Sequence, residues 1–261
     1  MEGTTTTREV ALSNSLKTDL DKLALASRIL EMEGHGNYTL GHVALRDPDG
    51  RGFWLKRWGL TMGEVFDWTD FQLISMDGKL LHGDGKKRHS EWPLHAGIYK
   101  RRAEVMATAH THPHYGAVFS ASNEPLRPIS NAGSYFREPP PRFTRTSELV
   151  RKAEVGDEVA DVWGDHPALF LRNHGVMFCG RSIEEMTIVG VQLETACREM
   201  LMIKGSGLSY SWPDDAEQAR KHGTIGEPRN IGLFFRHFSR KLAATQALGH
   251  PSLPRERPTD G

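Results

Sequence analysis

The stretch VMATAHTHPHYGAVFSAS, residues 105–122, places an apolar, strand-like run directly before three histidines and a helix-like run. Residues i and i+2 of a strand face the same side, so His110 and His112 are expected to project together. Their imidazoles can meet one metal ion at about 2.0–2.1 Å from each nitrogen. The alternative is that both are partly buried histidines with purely structural roles. Pro113 turns the chain before His114, so we expect His114 to be a bystander or to lie behind the ligands.

Strand-like and helix-like segments continue on both sides of this stretch. Helical spacing and start signals predict helices, and short apolar runs between turn residues predict strands. The predicted helices, besides 115–122, are 16–30, 94–102, 182–204 and 230–244, and the predicted strands, besides 105–112, are 42–46, 53–56, 71–76, 168–174 and 176–180. Three successive prolines predict a long loop over residues 131–145.

The order of these segments indicates one domain. Strands lie centrally with helices at both ends, and no internal repeat or linker divides them, which favours an α/β sandwich. We predict a domain over residues 15–248, with flexible tails at residues 1–14 and 249–261.

Composition excludes several function classes. The chain of 261 residues has 33 Lys+Arg and 33 Asp+Glu, and this balance argues against a nucleic-acid partner. Two cysteines, Cys179 and Cys197, make no disulfide framework. No apolar run approaches the roughly 20 residues that a membrane span needs, and residues 1–13 do not read as a secretory signal. We therefore predict a cytoplasmic protein with neither nucleic-acid nor membrane partners.

A third metal ligand and a carboxylate are available elsewhere in the sequence. His174, in LRNHG, ends a strand-like run and precedes a glycine, where backbone can approach closely. With His110 and His112 it gives three histidines and an open position, as in catalytic metal sites. Glu91 lies at the start of a predicted helix. An acid at this position has either a catalytic role or a favourable interaction with the helix dipole. His95 lies four residues after Glu91, and it either supports the metal ligands without binding the ion or has only a packing role.

Three motifs together resemble a known family. They are SEWPLHAGIYKRR (90–102), ATAHTHPHYGAVFSA (107–121) and LRNHGVMFCGRSIEEM (171–186). In this order they are similar to the class II aldolase/adducin family, over about residues 20–205. The resemblance implies a single-domain α/β/α sandwich with a central, mostly antiparallel sheet of about nine strands. It also implies a homotetramer with active sites between neighbouring subunits.

The resemblance assigns roles to the residues already singled out. His110, His112 and His174 would be the metal ligands, and Glu91 would ligate the resting metal or act as acid/base once substrate displaces it. Adducins share the fold without the complete metal set, so the filled positions here favour an enzyme. We expect a divalent ion, either Zn²⁺ or Mn²⁺, because three histidine ligands do not determine which of the two is bound.

The phosphate-binding segments of the family's sugar-phosphate aldolases are altered in this chain. GHVAL has His42 where the family has Asn, and HSEW keeps only Ser90 of a Ser-Ser pair. KRWG replaces a Thr-Gly segment with Arg57 and Trp58. Arg57 can pair with a carboxylate, unless it merely continues an exposed strand end. Trp58 and His42 can face a flat ring, with Ser90 beside them, so a phosphate ligand is not expected.

GHV, GRGFWLK and SNAGSYF are more similar to the family's decarboxylase branch, which includes 3,4-dihydroxyphthalate decarboxylase and 3-hydroxy-2-methylpyridine-4,5-dicarboxylate decarboxylase. The substrates of that branch are aromatic rings with a hydroxyl beside a carboxylate. Glu91 would then be the general acid/base, with His42 the second candidate for moving the proton. Arg57 would anchor a second carboxylate. Tyr135 would reach the site from the same or a neighbouring subunit, or be a structural tyrosine.

Three functions compete at this stage. The leading hypothesis is a metal-dependent, non-oxidative decarboxylase of a small hydroxylated aromatic or heteroaromatic carboxylate. The second is an aldolase or retro-aldolase acting on a non-phosphorylated hydroxy-keto substrate with the same metal and acid. The third is an adducin-like binding module.

Overall fold

A central β-sheet positions the site, and helices cover both of its faces. The computed structural model describes residues 12–85 and 87–257. The strands are β1 (His42–Arg46), β2 (Phe53–Lys56), β3 (Phe71–Ile74), β4 (Leu80–His82), β5 (Ala107–Thr111), β6 (Arg142–Phe143), β7 (Ala168–Leu171) and β8 (Gly175–Gly180). The helices are α1 (Asn14–Leu30), α2 (Trp92–Arg101), α3 (His114–Ser120), α4 (Ala153–Trp163), α5 (Ile183–Ser206), α6 (Asp215–Ile225) and α7 (Pro228–Ala247). The α/β class is confirmed.

The histidine-bearing strand β5 lies at the centre of the sheet. The strand order is β4-β3-β2-β1-β5-β8-β7-β6, and neighbouring strands are antiparallel except for β6 and β7. On one side of β5, His42 lies opposite His110, and on the other Val176 lies opposite Thr111. The expected mostly antiparallel sheet is confirmed, with eight strands among the described residues.

The two faces of the sheet pack against different helices. Ala107 and Ala109 of β5 belong to an apolar cluster that includes side chains of α1, α3, α5 and α7. On the opposite face, α2 and α4 pack on a second cluster that contains Leu169 and Met177. Alternate residues of β5 point to opposite faces, so Thr108 and His110 lie on the side of α2.

Three segments of the chain differ from the predicted elements. The predicted loop 131–145 contains the short strand β6, which is parallel to β7. Pro141 has no N–H to donate, but its carbonyl still accepts a hydrogen bond from Phe170 N at 2.9 Å, so the prolines do not prevent this pairing. Helices α4 and α6 were not predicted. Lys152 precedes α4 without a side-chain cap, so the usual start signal is missing there.

The ends of the domain also differ from the prediction. Of the predicted N-terminal tail, residues 1–11 lie outside the described residues, and Asn14 already belongs to α1. Residues 249–257, predicted to be part of a flexible tail, pack on the domain, since Leu253 is 1% exposed and Arg257 pairs with Asp70. Residues 258–261 lie outside the described part. None of the described helices is long and apolar enough to cross a membrane.

Candidate metal centre

Three histidines converge where β5 and the β7–β8 loop meet. His110 belongs to β5, His112 follows that strand directly, and His174 lies in the loop before β8. One ring nitrogen from each lies within 4.8 Å of those of the other two. The rings of His112 and His174 stack at 5.2 Å, and the ring of His110 is nearly perpendicular to both. The sheet thus brings together all three predicted ligands.

The backbone of the β7–β8 loop explains how His174 reaches the other two. Asn173 has a φ of 57°, a left-handed conformation that asparagine tolerates better than most residues. A Cβ added to Gly175 would lie 2.5 Å from Thr111 O and 2.7 Å from Cδ2 of His112. The close approach of the two segments therefore requires glycine at position 175.

The histidines are in the neutral form that binds metal ions. His110 Nδ1 donates to Val176 O at 3.0 Å, which leaves its Nε2 as a bare lone pair. Nε2 of His110 and Nε2 of His174 are buried without a hydrogen-bond partner in the described residues. Burial lowers the pKa of all three imidazoles, that of His112 to about 4. Three neutral imidazoles with unpaired nitrogens fit a divalent metal ion.

Glu91 is the acid beside these histidines. It is the residue directly before α2, and its Oε1 accepts a hydrogen bond from Val150 N at 2.9 Å. Its oxygens lie 3.6 Å from His110 Nε2 and 3.7 Å from His174 Nε2. Only 6% of Glu91 is exposed, and this burial raises the pKa of its carboxyl to about 7. Glu91 can therefore carry a proton at neutral pH.

His42 lies next to Glu91 and His110. It is fully buried, and with Glu91 and His110 it forms a second group whose ligand atoms lie within 4.8 Å. Its Nδ1 is 2.7 Å from Nε2 of His95, which places His95 behind the site. His42 Nε2 has no hydrogen-bond partner among the described residues. Burial, together with His89 and the other nearby histidines, lowers the pKa of His42 well below its ordinary value.

A cavity of about 640 Å³ opens onto the metal cluster. Of the predicted substrate contacts, Trp58 and Ser90 line it. The structure adds Lys87, His89 and Arg151, which the sequence analysis did not select. Lys87 Nζ lies 5.3 Å from the ring centre of Trp58. Arg151 stands in an irregular segment before α4, where no periodicity or motif marks it, whereas His89 was visible as the neighbour of Ser90.

Arg57 is placed differently from its predicted role. Its guanidinium donates to Asp84 at 2.8 Å and to Asp70 at 3.3 Å, and Arg57 is absent from the lining of the cavity. Two carboxylates of the same chain therefore hold the charge that was expected to bind substrate. His114 lines the cavity and is not part of the metal-binding groups found among the described residues.

Tyr135 lines a second cavity, of about 720 Å³, together with Arg102, Arg137 and Gly180. Gly180 pairs with Ala107 at the start of β5, whereas the metal cluster lies beyond Thr111 at its end. The two cavities are therefore at opposite ends of the β5–β8 pair. Tyr135 does not reach the metal cluster of its own chain, and its hydroxyl is buried without a partner in the described residues.

The fold and site together define an α/β/α enzyme domain with a buried acid beside a three-histidine cluster. The profile of the family described as Class II Aldolase and Adducin N-terminal domain matches residues 21–201, and the chain belongs to this family. Its relatives include decarboxylases and an aldolase, which are lyases, and the protein is an enzyme of the lyase class.

Two related proteins and one solved structure match most of the chain. The 3,4-dihydroxyphthalate decarboxylase of Arthrobacter keyseri is 25% identical over 236 residues, covering 86% of this chain and 94% of its own. The Meiotically up-regulated gene 14 protein of Schizosaccharomyces pombe is 28% identical over 194 residues, covering 74% and 75%. The structure of the L-fuculose 1-phosphate aldolase from Glaciozyma antarctica shares the fold, with a TM-score of 0.78, 22% identity, and coverage of 93% and 96%. The decarboxylase relatives agree with the resemblance noted in the sequence.

Proposed function

We propose that the protein is a metal-dependent, non-oxidative decarboxylase of a small hydroxylated aromatic or heteroaromatic mono- or dicarboxylate. The observation that carries this proposal is the position of Glu91, a buried acid with a raised pKa, within 4 Å of His110 and His174. Such an acid can deliver a proton to a carbon that has lost its carboxylate. The similarity to 3,4-dihydroxyphthalate decarboxylase supports the same reaction class.

His110, His112 and His174 would hold the divalent ion, Zn²⁺ or Mn²⁺. When bound, such an ion withdraws electron density from an ortho hydroxyl and carboxylate as the carbon–carboxylate bond breaks. The cavity that His112 and His174 line also contains Trp58 and Ser90, so a substrate bound there would lie beside these ligands. Glu91 protonates the ring carbon, and His42, next to Glu91, is the second residue that can take part in moving the proton.

The cavity lining favours a flat, anionic substrate. The indole of Trp58 provides a surface for a ring, and Ser90 adds a hydroxyl beside Glu91. Because Asp84 and Asp70 hold Arg57, we propose that Arg151 binds the second carboxylate in its place. Lys87 adds a second positive charge at the same opening.

We further propose a cytoplasmic homotetramer in which Tyr135 serves the metal site of a neighbouring subunit. The support is its place in the cavity at the far end of β5, with a buried hydroxyl that lacks a partner within the described part of the chain. A tyrosine that cannot reach the site of its own chain can still act across an interface between subunits.

The test is carbon dioxide release from 3,4-dihydroxyphthalate and from hydroxypyridine dicarboxylates, with added Zn²⁺ or Mn²⁺, for wild type and His112→Ala. We expect metal-dependent release that the variant lacks. The alternative, an aldolase on a non-phosphorylated hydroxy-keto substrate, uses the same residues and would give aldehyde and ketone products instead. Metal-loaded protein that releases no carbon dioxide from any of these acids would exclude the decarboxylase and favour this alternative.

A further inference from the structure

Four buried polar side chains form a continuous hydrogen-bonded chain that begins at the metal site. His42 Nδ1 lies 2.7 Å from His95 Nε2, and His95 Nδ1 lies 2.6 Å from Thr108 Oγ1. Thr108 Oγ1 lies 3.1 Å from the hydroxyl of Tyr99, which in turn lies 3.3 Å from the carbonyl of Met106. None of the four side-chain residues is more than 2% exposed. Water therefore does not compete for these protons.

The chain has a preferred direction because a carbonyl only accepts hydrogen bonds. Tyr99 donates to Met106 O, so Thr108 donates to Tyr99 and accepts from Nδ1–H of His95. Nε2 of His95 is then an acceptor, and Nδ1 of His42 must donate to it. In this direction every proton has an acceptor. The opposite direction loses the bond to Met106 and leaves a buried N–H on His42 Nε2, which finds no acceptor among the described residues.

The 2.7 Å contact between Nδ1 of His42 and Nε2 of His95 takes one donor and one acceptor, so the rest of the chain decides which ring gives the proton. Burial lowers the pKa of His95 to about 3, in keeping with a single proton on that ring. Burial also raises the pKa of the Tyr99 phenol, which therefore keeps the proton that it donates. The nitrogen left without a proton is Nε2 of His42, beside Glu91 and His110.

We propose that Tyr99, Thr108 and His95 are positioning residues that hold His42 in the Nδ1–H tautomer. Nε2 of His42 then carries a lone pair beside Glu91 and His110, so it can accept a proton there but has none to give, and Glu91 is the proton donor. This assignment of roles rests on the proposed function, which needs one donor of a proton to the ring carbon.

A second buried histidine provides an internal control on the opposite face of β5. His35 Nε2 lies 3.1 Å from Gly190 O, and His35 Nδ1 lies 2.9 Å from Thr111 Oγ1. The carbonyl accepts, so His35 carries its proton on Nε2 and the threonine donates to Nδ1. The two histidine–threonine pairs are thus expected to have opposite tautomers, and His35 shares no hydrogen bond with the Tyr99–His42 chain.

The direct test is neutron crystallography of the deuterated, zinc-loaded protein, which locates deuterium on ring nitrogens. We expect deuterium on Nδ1 of His42 and of His95, and on Nε2 of His35. Deuterium on Nε2 of His42 would overturn the proposal. The readout is independent of turnover, so a protein inactive on every aromatic acid but with this pattern would contradict the proposed function and leave the tautomer assignment intact.

Two variants of Thr108 separate positioning from simple packing. Thr108→Val removes the acceptor of His95 Nδ1–H at nearly constant shape, so the protons of His95 and His42 should move to Nε2. On the aromatic substrate, kcat should fall about 10- to 100-fold, as for other residues that orient a site histidine. Thr108→Ser keeps the hydroxyl and should restore both the deuterium pattern and kcat. A Thr108→Val protein with unchanged tautomer and rate, or Thr108→Ser as impaired as Thr108→Val, would refute the positioning role.

Discussion

The two faces of strand β5 bury very different side chains. Toward α5, Ala107 and Ala109 pack in an apolar cluster, and His35 has hydrogen bonds at both ring nitrogens. Toward α2, Thr108 and His110 are fully buried, and Nε2 of His110 has no partner within the described residues. A buried polar atom without a partner costs about 1–3 kcal/mol. Apolar clusters pack on both faces of the sheet, but β5 adds only apolar side chains to the face toward α5 and adds a buried polar group without a partner to the face toward α2.

The largest effect is expected from the face toward α2. His174→Ala removes one of three ligands and should reduce decarboxylation by roughly 1,000-fold or more, because most of the stabilisation of the developing charge is lost with the ion. Stability in the absence of metal should change little or increase, since a buried unpaired nitrogen is removed. Metal content and carbon dioxide release measure the effect. His237→Ala, an exposed histidine of α7 that lines neither cavity, is the matched control and should retain both.

On the face toward α5, a substitution in the apolar cluster should reduce stability and leave activity nearly unchanged. Phe178→Ala removes a fully buried ring that contacts His35 at 5.3 Å, and should lower the free energy of unfolding by about 3–5 kcal/mol. Urea denaturation measures this loss. Activity per folded molecule should stay within about twofold of wild type. Phe234→Ala, at a position that is 40% exposed, should have little effect on either quantity. A large loss of specific activity in Phe178→Ala would show that the two faces are not independent.

Gly175→Ala tests how the two strands meet at the ligands. The added Cβ would lie 2.5 Å from Thr111 O, so the β7–β8 loop must shift and move His174 away from His112. Metal affinity should fall about 10- to 100-fold, comparable with other changes that misorient a ligand. Isothermal titration with Zn²⁺ measures it. Gly205→Ala in α5, where an added Cβ meets nothing within 4 Å, should leave affinity unchanged.

Lys56 does not follow this difference between the two faces of the sheet. Its ionisable side chain is fully buried, yet it lies on the same face as Trp54 and the apolar cluster. Burial lowers its pKa to about 7, although Glu64 and Glu31 partly oppose this. An unfolded lysine titrates near pH 10.4, so between about pH 7 and pH 10 the unfolded chain binds more protons and stability rises with pH.

Lys56→Met should therefore lack this rise. The free energy of unfolding of wild type should gain roughly 2 kcal/mol relative to the variant between about pH 7 and pH 9. Urea denaturation at both pH values gives the difference. A gap that is constant with pH would mean that Lys56 stays charged in the folded state, held by its neighbouring carboxylates.

The sequence was most informative where a local pattern carries the meaning. Strands 42–46 and 53–56 agree with β1 and β2 to the residue, and the His-x-His pair with His174 predicted a cluster that the structure brings together. Helix α4 was missed because Lys152 gives no start signal. Neither local spacing nor residue type shows that Asp84, far along the chain, holds Arg57, or that Arg151 enters the cavity.

The position of Tyr135 also could not be predicted from a local pattern. Its loop resembles a segment of the family, but its distance from the metal cluster depends on which end of the β5–β8 pair the loop crosses. Gln218 and His222 of α6 hold this loop through hydrogen bonds to the carbonyls of Ser134 and Phe136. Contacts between distant segments, rather than propensity, decide such positions.

The three histidines of the cluster come from two segments that meet only when β5 pairs with β8. The unfolded chain keeps only the pair His110 and His112 close together, so it lacks the complete site. An ion that binds the folded chain alone stabilises it by about 2.7 kcal/mol at a concentration 100 times its dissociation constant. Metal supply should therefore set the lifetime of the protein as well as its activity, and starvation for the ion would expose the chain to unfolding and proteolysis.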